Sequence, residues 1–415
     1  MKTKMTIDAS LLRKALAMLN PVVNNKTTLP ILADVVLKYE QEREVFTLMA
    51  SDSETWMILD CVDKEGKPWI CMLEDDQKDK FTDVAIPFAP LKEAVSLLPS
   101  AQLLQVTFAD AVMNVNYGIG EFEMGWESSE TFPLPQPVAT NGKEGAQCRF
   151  RMDADKLLPL MSAAIESSAD DELRMVMNGV CLDVYNDKVI VVATNGHELF
   201  KDVIETGIGG GWLEYTTFPA FDKATNQPGS AKLLITKKAR KALSSAVGDG
   251  QIFITADTQR CEFSAEGVRI VARLIEGNYP NYESVIPKDS QYRVTMDRDN
   301  LRMALRRVQL SANESSNMVE LCRDGNAFMV KAANIDNGRS GQERVDIHDT
   351  DAFLPEGFSI GLKISTAISI LDRIQTDSVV LILSEPNKPA LYRPEDAHSS
   401  RILLQMPMMI QEETT

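Results

Sequence analysis

Apolar residues recur along this chain in two rhythms. Three stretches keep helical spacing behind an aspartate: Asp8 is followed by Leu12 and Leu16, Asp153 by Leu157 and Met161, and Asp297 by Leu301 and Leu305. An apolar residue precedes each Asp (Ile7, Met152, Met296). An extended approach, an Asp where a helix N-cap belongs and apolar residues four apart describe one amphipathic helix. Three copies at near-equal spacing describe a repeated domain. A second helix also recurs, over Ala89–Leu98, over Ile235–Val247 and around Ala367. Aligning Ala94, Ala242 and Ala367 puts Leu91, Ala239 and Ile364 three positions earlier and Leu98, Ala246 and Leu371 four positions later. Strand patterns fill the space between, among them Val35–Tyr39, Phe46–Ala50, Trp56–Val62, Val180–Val184 and Val189–Ala193. The predicted class is α+β, with two amphipathic helices per repeat backed by antiparallel sheets.

A stretch rich in Pro and Gly from Phe132 to Gly145 predicts the first linker. The expected domains are 1–143, 144–290 and 291–415, each of ordinary size. A hydrophobic content of 44% with 25% charged residues fits a soluble globular chain. No apolar run approaches the roughly 20 residues that span a bilayer, and the N-terminus leads directly into a strand pattern. The expectation is a cytoplasmic protein with no membrane partner.

Candidate chemistry is sparse. The six cysteines lie far apart without CxxC or Cys/His spacing, which predicts buried free thiols. His197, His348 and His398 have no metal-ligand partner at i+4. The glycines between Gly207 and Gly211 lack the Lys-Ser/Thr of a phosphate loop and read as a turn. Ser264, Ser311 and Ser315 stand outside any nucleophile elbow. Paired acids at Asp75-Asp76 and Asp170-Asp171 read as loop residues. The expectation is a protein with no catalytic residue, no metal and no cofactor.

A net charge of −17 excludes a uniformly basic surface, so the distribution of cations decides. Lys237, Lys238, Arg240 and Lys241 crowd one second helix. Arg298, Arg302, Arg306 and Arg307 lie on the third opening helix, and Arg13 and Lys14 on the first, with Lys26 just beyond. A solvated face accounts for any one of these helices. Related helices in three repeats of an acidic chain favour a shared basic surface that touches phosphates without reading bases. Aromatics for base stacking are missing between these cations, which favours duplex over single strands. At the other end, Met406-Pro407-Met408 interrupts a closing strand with two soft side chains around a ladder-breaking Pro.

Several motifs then fall into one order: Lys26 to Leu32, Met177 to Val180, Ala193 to Leu199, Arg273 to Pro287, Gly338 to Glu343 and Met406 to Met408. In these residues, across all three repeats, the chain resembles the bacterial sliding clamps, the β subunits of the replicative DNA polymerase. The resemblance implies a head-to-tail homodimer closed into a ring of six similar domains, with helices around duplex DNA and sheets on the rim. It implies a non-catalytic processivity factor that tethers the polymerase, is opened by a loader ATPase, and receives short apolar peptide motifs from polymerase, loader and repair proteins. Carried over by position, Lys26, Arg174 and Lys238 face DNA; Arg13, Lys237, Arg240, Arg302 and Arg306 join them on the helix pattern. The implied peptide groove takes Met177, Thr194, Gly196, His197, Leu199, Pro280, Val285, Leu404, Met406, Pro407 and Met408. His197 stays open between groove wall and packed, hydrogen-bonded residue. Phe122 and Met124 match the domain-one edge that pairs with domain three of the other subunit. Glu198, Lys363, Thr366 and the ending Met409-Ile410 with five further residues depart from the family pattern, which puts the preferred peptide in doubt. A peptide-binding scaffold without a DNA role is the alternative, and an enzyme the weakest reading.

Overall fold

In the structure, a computed structural model, residues 3–24, 27–73, 81–99, 102–140, 146–206, 213–216, 221–222, 227–228, 230–288, 292–350 and 354–410 are described. Each of the three repeats contributes two helices: α1 (Ala9–Leu19) and α2 (Phe88–Leu97), α3 (Ala154–Ile165) and α4 (Lys237–Ala246), α5 (Arg298–Val308) and α6 (Ile364–Asp372).

The aspartates do what their position requires in the first and third copies. Asp8 Oδ1 accepts from the backbone N–H groups of Ser10 at 2.8 Å and Leu11 at 3.0 Å, and Asp297 Oδ1 from that of Asn300 at 2.7 Å. Each cap satisfies helix-start donors that have no intrahelical partner. Asp153 instead pairs its carboxylate with Lys156 at 2.8 Å and with Gln251. The buried faces follow the sequence spacing: Leu12, Leu16 and Leu19 on α1, Ala239, Ala242 and Leu243 on α4, Leu301, Ala304 and Leu305 on α5.

The described chain forms two compact units, Met1–Pro159 with Thr206–Glu276, and Leu160–Glu205 with Gly277–Thr415. Each unit draws on two of the expected repeats, and backbone pairing is the reason. In the first unit a ten-stranded sheet runs from Glu127–Ser128 to Leu213–Thr216. Its middle is the antiparallel pairing of Thr55–Asp60 with Val268–Arg273, which sets Leu59 opposite Val268 and Thr55 opposite Ala272. In the second unit Glu198–Glu205 pairs with Ile402–Gln405 in the same way, Glu198 opposite Gln405 and Leu199 opposite Leu404. One sheet thus continues from one repeat into the next in each unit.

Each unit also has a smaller sheet of four or five strands. In the first, five strands end at Glu121–Gly125; in the second, four strands end at Arg339–Asp346. The layers of the first unit are joined by a run of rings: Tyr39 to Phe46 at 5.0 Å, Phe46 to Phe81 at 5.4 Å, Phe81 to Phe108 at 6.3 Å and Phe108 to Trp126 at 6.1 Å between centroids. Such tilted and edge-on pairs add to the burial of the rings themselves. Leu12 of α1 and Leu91 of α2 meet Ile7, Leu37, Leu104 and Phe122 around a void of only about 20 Å³.

Four cysteines (Cys61, Cys148, Cys181, Cys261) are buried free thiols, and burial pushes those of Cys61 and Cys261 well up. Cys71 and Cys322 correct that expectation. Cys71 is exposed on the short outer strand Ile70–Met72, and Cys322 lies on the half-exposed face of Met318–Asp324. The polar stretch at 75–80, the glycines at 207–211 and the last five residues lie outside the described residues.

Candidate functional site

Two groups of side chains were singled out by sequence, the helix cations and the apolar groove. Several of the helix cations are engaged with partners inside the protein. On α1, Arg13 donates from Nε and Nη2 to the Val95 carbonyl at 3.2 and 3.0 Å, and from Nη2 to the Leu98 carbonyl at 2.6 Å. These are carbonyls at the C-terminal end of α2, where orphan acceptors and the helix dipole favour a cation. Arg13 thus joins α1 to the end of α2.

Arg302 holds the same place after its Asp cap and makes a related contact. Its Nη1 donates to Asp372 Oδ1 at 2.8 Å, on the last residue of α6, and its Nε lies 3.4 Å from Asp299. Arg306 Nη2 lies 3.7 Å from the other oxygen of Asp372. Arg298 donates to the Ile374 carbonyl at 2.6 Å, and Arg307 pairs with Glu343, holding that carboxyl below its usual range through the hydrogen bond. On α4, Lys237, Lys238 and Arg240 are half-buried and Lys241 is exposed. Lys238 Nζ reaches Asp52 at 2.5 Å. Arg174 donates to Asp171 at 2.9 Å and to the Asn195 carbonyl at 3.1 Å, and its hydrogen bond lowers the Asp171 carboxyl. Lys26 lies outside the described residues.

The groove residues are brought together by one hairpin turn and one tail. The strands Lys188–Thr194 and Glu198–Glu205 are joined by Asn195, Gly196 and His197. Asn195 Oδ1 accepts from the backbone N–H groups of His197 at 2.9 Å and Glu198 at 3.0 Å, and Thr194 Oγ1 donates to the Glu198 carbonyl at 2.7 Å. Gly196 takes φ +88°, a conformation that favours glycine, and a Cβ there would meet only the movable end of the Arg174 side chain. The tail closes on this turn: the Met406 N–H donates to the His197 carbonyl at 2.8 Å and the Met408 N–H to the Gly361 carbonyl at 2.7 Å. Pro407, lacking an N–H, stands between these two bonds and bends the chain off the sheet. Gln405 anchors the bend from below, donating to the Lys363 carbonyl at 2.8 Å and accepting from the Tyr392 hydroxyl at 3.0 Å.

Gly277 to Pro287 supplies another wall. Gly277 takes φ +122° with the Val176 side chain where its Cβ would be, and Tyr282 donates to Asp183 at 2.7 Å. Burial and the Asp183 charge push the Tyr282 hydroxyl well up. That anchoring leaves Pro280 half-buried and Val285 exposed. Met177, Gly196, His197, Pro280, Val285, Met406, Pro407 and Met408 are therefore open to solvent at least in part. Thr194, Leu199 and Leu404 are not: at 8, 1 and 2% exposure they lie beneath these residues in the sheet.

Glu198, which departs from the family pattern, is buried. Its carboxylate turns inward to Arg373 Nη2 at 2.9 Å and to Asn195 Nδ2 at 3.2 Å. Arg373, which sequence reasoning passed over, also donates to Ser167 Oγ at 2.5 Å and to the Ala163 carbonyl at 3.3 Å. A lone Arg after a helix carries no pattern that would have revealed it. Sequence reasoning also passed over a cavity of about 940 Å³ beyond Met408, lined by Met318, Glu320, Lys331, Ile335, Met409 and others. The alternation of Met318–Asp324, which puts Met318, Glu320 and Cys322 on one half-exposed face, was the available signal.

At the sheet end Glu121–Gly125, Phe122 and Met124 are half-buried between the exposed Glu121, Glu123 and Gly125. Among the described residues no three or more His, Cys, Asp or Glu are grouped to hold a metal, and no helix is long and apolar enough to cross a membrane.

Known proteins are similar to the chain over one third of it by family and over nearly all of it by relatives. Residues 283–409 match the family described as DNA polymerase III beta subunit, C-terminal domain. The chain is 24% identical over 408 residues to the beta sliding clamp of Pseudomonas aeruginosa, covering 98% of this chain and 99% of that one. It is 25% identical over 398 residues to that of Caulobacter vibrioides, covering 94% and 95%. Among solved structures, a P. aeruginosa sliding clamp bound to griselimycin superposes with a TM-score of 0.81 at 22% identity, covering 99% of this chain and 100% of that chain. A Bacillus subtilis DNA polymerase sliding clamp superposes with 0.82 at 18% over the same shares.

Proposed function

We infer that the chain belongs to the sliding clamp family, the beta subunits of DNA polymerase III, and from that premise its function follows. It is a non-catalytic DNA sliding clamp: a dimeric ring that encircles duplex DNA and tethers the polymerase for processive synthesis. One observation carries this reading, the likeness to beta sliding clamps over nearly all of both chains. The repeated cation-bearing helices support it from the residues upward. Retention by topology explains why those cations can be engaged with carboxylates and carbonyls. A ring that cannot fall off has no need of tight phosphate contacts, and tight contacts would hinder sliding.

Three domains, 1–143, 144–290 and 291–415, organise this ring, each with one Asp-led helix and one partner helix. Lys26, Arg174, Lys237, Lys238, Arg240, Arg302 and Arg306 serve as the weak phosphate contacts, and Arg13 chiefly joins α1 to α2. Met177, Gly196, His197, Pro280, Val285, Met406, Pro407 and Met408 form the walls of a partner-peptide groove over the floor of Thr194, Leu199 and Leu404. Its polarizable, mostly apolar lining suits a site reused by polymerase, loader and repair proteins. The work belongs in the cytoplasm, where the chromosome is copied.

The test is topological. Loaded on nicked circular DNA, the protein should stay bound in high salt and leave once the circle is cut. Retention that follows salt and ignores cutting would overturn the reading. The engagement of Arg174, Lys238 and Arg302 with carboxylates favours one second reading, a peptide-binding scaffold with no DNA role. Charge reversal at Lys238 and Arg302 with unchanged loading would support it.

A further inference from the structure

Asp372 stands in a place that helix electrostatics disfavours. It is the last residue of α6, where the helix already presents partial negative charge. Both of its oxygens face arginines of α5: Oδ1 accepts from Arg302 Nη1 at 2.8 Å, and Oδ2 lies 3.7 Å from Arg306 Nη2. The aspartate side chain is 45% exposed, and those of Arg302 and Arg306 are 27% and 47% exposed. The pairs are therefore open to water and to any anion approaching α5. A second carboxylate, Asp299, flanks the same group, 3.4 Å from Arg302 Nε and 3.2 Å from Arg298 Nη2.

The first unit repeats the arrangement with unrelated residues. Asp52 holds Lys238 at 2.5 Å, and its other oxygen accepts from the backbone N–H groups of Glu54 at 3.0 Å and Thr55 at 2.7 Å. There backbone N–H groups fix a carboxylate whose side chain is buried, while that of Lys238 is 36% exposed. At Asp372 the pairs join side chains alone, with Asp372 and Arg306 exposed and Arg302 half-buried, so the exchange is easiest there.

We propose that Asp372 is an intramolecular stand-in for a DNA phosphate, which holds Arg302 and Arg306 and trades places with the backbone phosphates of the encircled duplex. The proposal rests on the clamp reading above and adds how its contacts stay weak. A phosphate that takes an arginine must displace a carboxylate with similar geometry and charge. The net gain is the difference of two ion pairs rather than the whole of one. Counterion balance gives this a measurable signature. A phosphate neutralised by a free arginine releases condensed cation from DNA, which makes affinity fall with salt. When the arginine comes from Asp372, the abandoned carboxylate takes up cation from solution and cancels part of that release. The unmodified protein should thus bind duplex weakly and with a shallow salt dependence, although its arginines reach the phosphates.

The test is equilibrium binding of the full-length protein to a short linear duplex, from which it can dissociate, across a potassium chloride series. Asp372→Asn is expected to bind about two- to fivefold tighter at low salt, the scale of one exposed ion pair. Its slope of log affinity against log salt should steepen by up to about one unit. Asp372→Ser, a second neutral variant, should behave alike, and Asp372→Glu, which keeps the charge, should return to the parent slope. Combining Asp372→Asn with Arg302→Ala and Arg306→Ala should abolish the gain. Unchanged affinity and slope in both neutral variants, while Arg302→Ala and Arg306→Ala weaken binding, would overturn the stand-in and leave the clamp reading intact. Arginine variants without effect, in a protein that also ignores circle cutting, would overturn both. A steep slope in Asp372→Glu would show that shape rather than charge is responsible, and would end the proposal.

Discussion

Glu198 and Arg373 show what a single residue means once its surroundings are known. In sequence, Glu198 is an acidic residue beside a groove; in space it closes a buried pair whose other contacts reach Ser167 and Ala163. Desolvation makes such a pair a poor source of net stability, and its contribution lies in holding Asn195 and the turn before His197 in one arrangement. Asp34 offers a sharper test at this scale. Burial and then the charge of Glu127 raise its carboxyl to about 6. The folded state therefore binds this proton more tightly than the unfolded chain does. Stability is greatest below the ordinary carboxyl range and falls as pH rises toward 6. Asp34→Asn removes the penalty. Urea unfolding should find the variant more stable at pH 7 by about 1–2 kcal/mol, discounted from the full shift for solvent screening. The advantage should vanish near pH 4, and a constant difference across that range would refute the assignment.

At the scale of elements, the bent tail depends on a glycine in another strand. A Cβ on Gly361 would sit 2.6 Å from the Met408 carbonyl oxygen, so the isolated bridge between the two residues requires the bare backbone. Gly361→Ala should push the tail away at an overpacking cost of about 1–3 kcal/mol, confined to the bridge. Hydrogen exchange should then quicken at the Met408 amide, about tenfold for each 1.4 kcal/mol. Equal protection in both proteins would mean that the bridge is not what positions the groove's Met406 and Met408. The Asp-capped helices were legible beforehand because capping and four-residue spacing are local. The contacts of Arg13 with α2 and of Arg302 with α6 were not, because both join residues far apart in the chain.

At the scale of the molecule, two sheet ends invite pairing. Glu121–Gly125 presents Phe122 and Met124 among acids, and Arg339–Asp346 presents Arg339 and Arg344. Within each unit, a sheet already continues from one repeat to the next by antiparallel pairing. A ring formed from two copies would use the same device between these ends and so cover edges that are otherwise an aggregation hazard. Sedimentation should find a dimer at micromolar concentration. Met124→Asp, which spares the packed Phe122, should yield a folded monomer that no longer stays on circular DNA. A monomeric parent protein would contradict the ring.

The sequence by itself determined the repeat, the helix starts, the α+β class and the resemblance, because each is carried by spacing or by residues close along the chain. Only the tertiary structure decided which candidates are walls and which are floor. Leu199 and His197 are two residues apart and both map to the groove by resemblance, yet pairing with Leu404 buries one and the turn exposes the other. The same holds for charge. A row of arginines on a helix reads as a free basic face until the partner helix supplies Asp372. No local pattern foretells that encounter, because folding sets the distance between two charges and sequence separation does not.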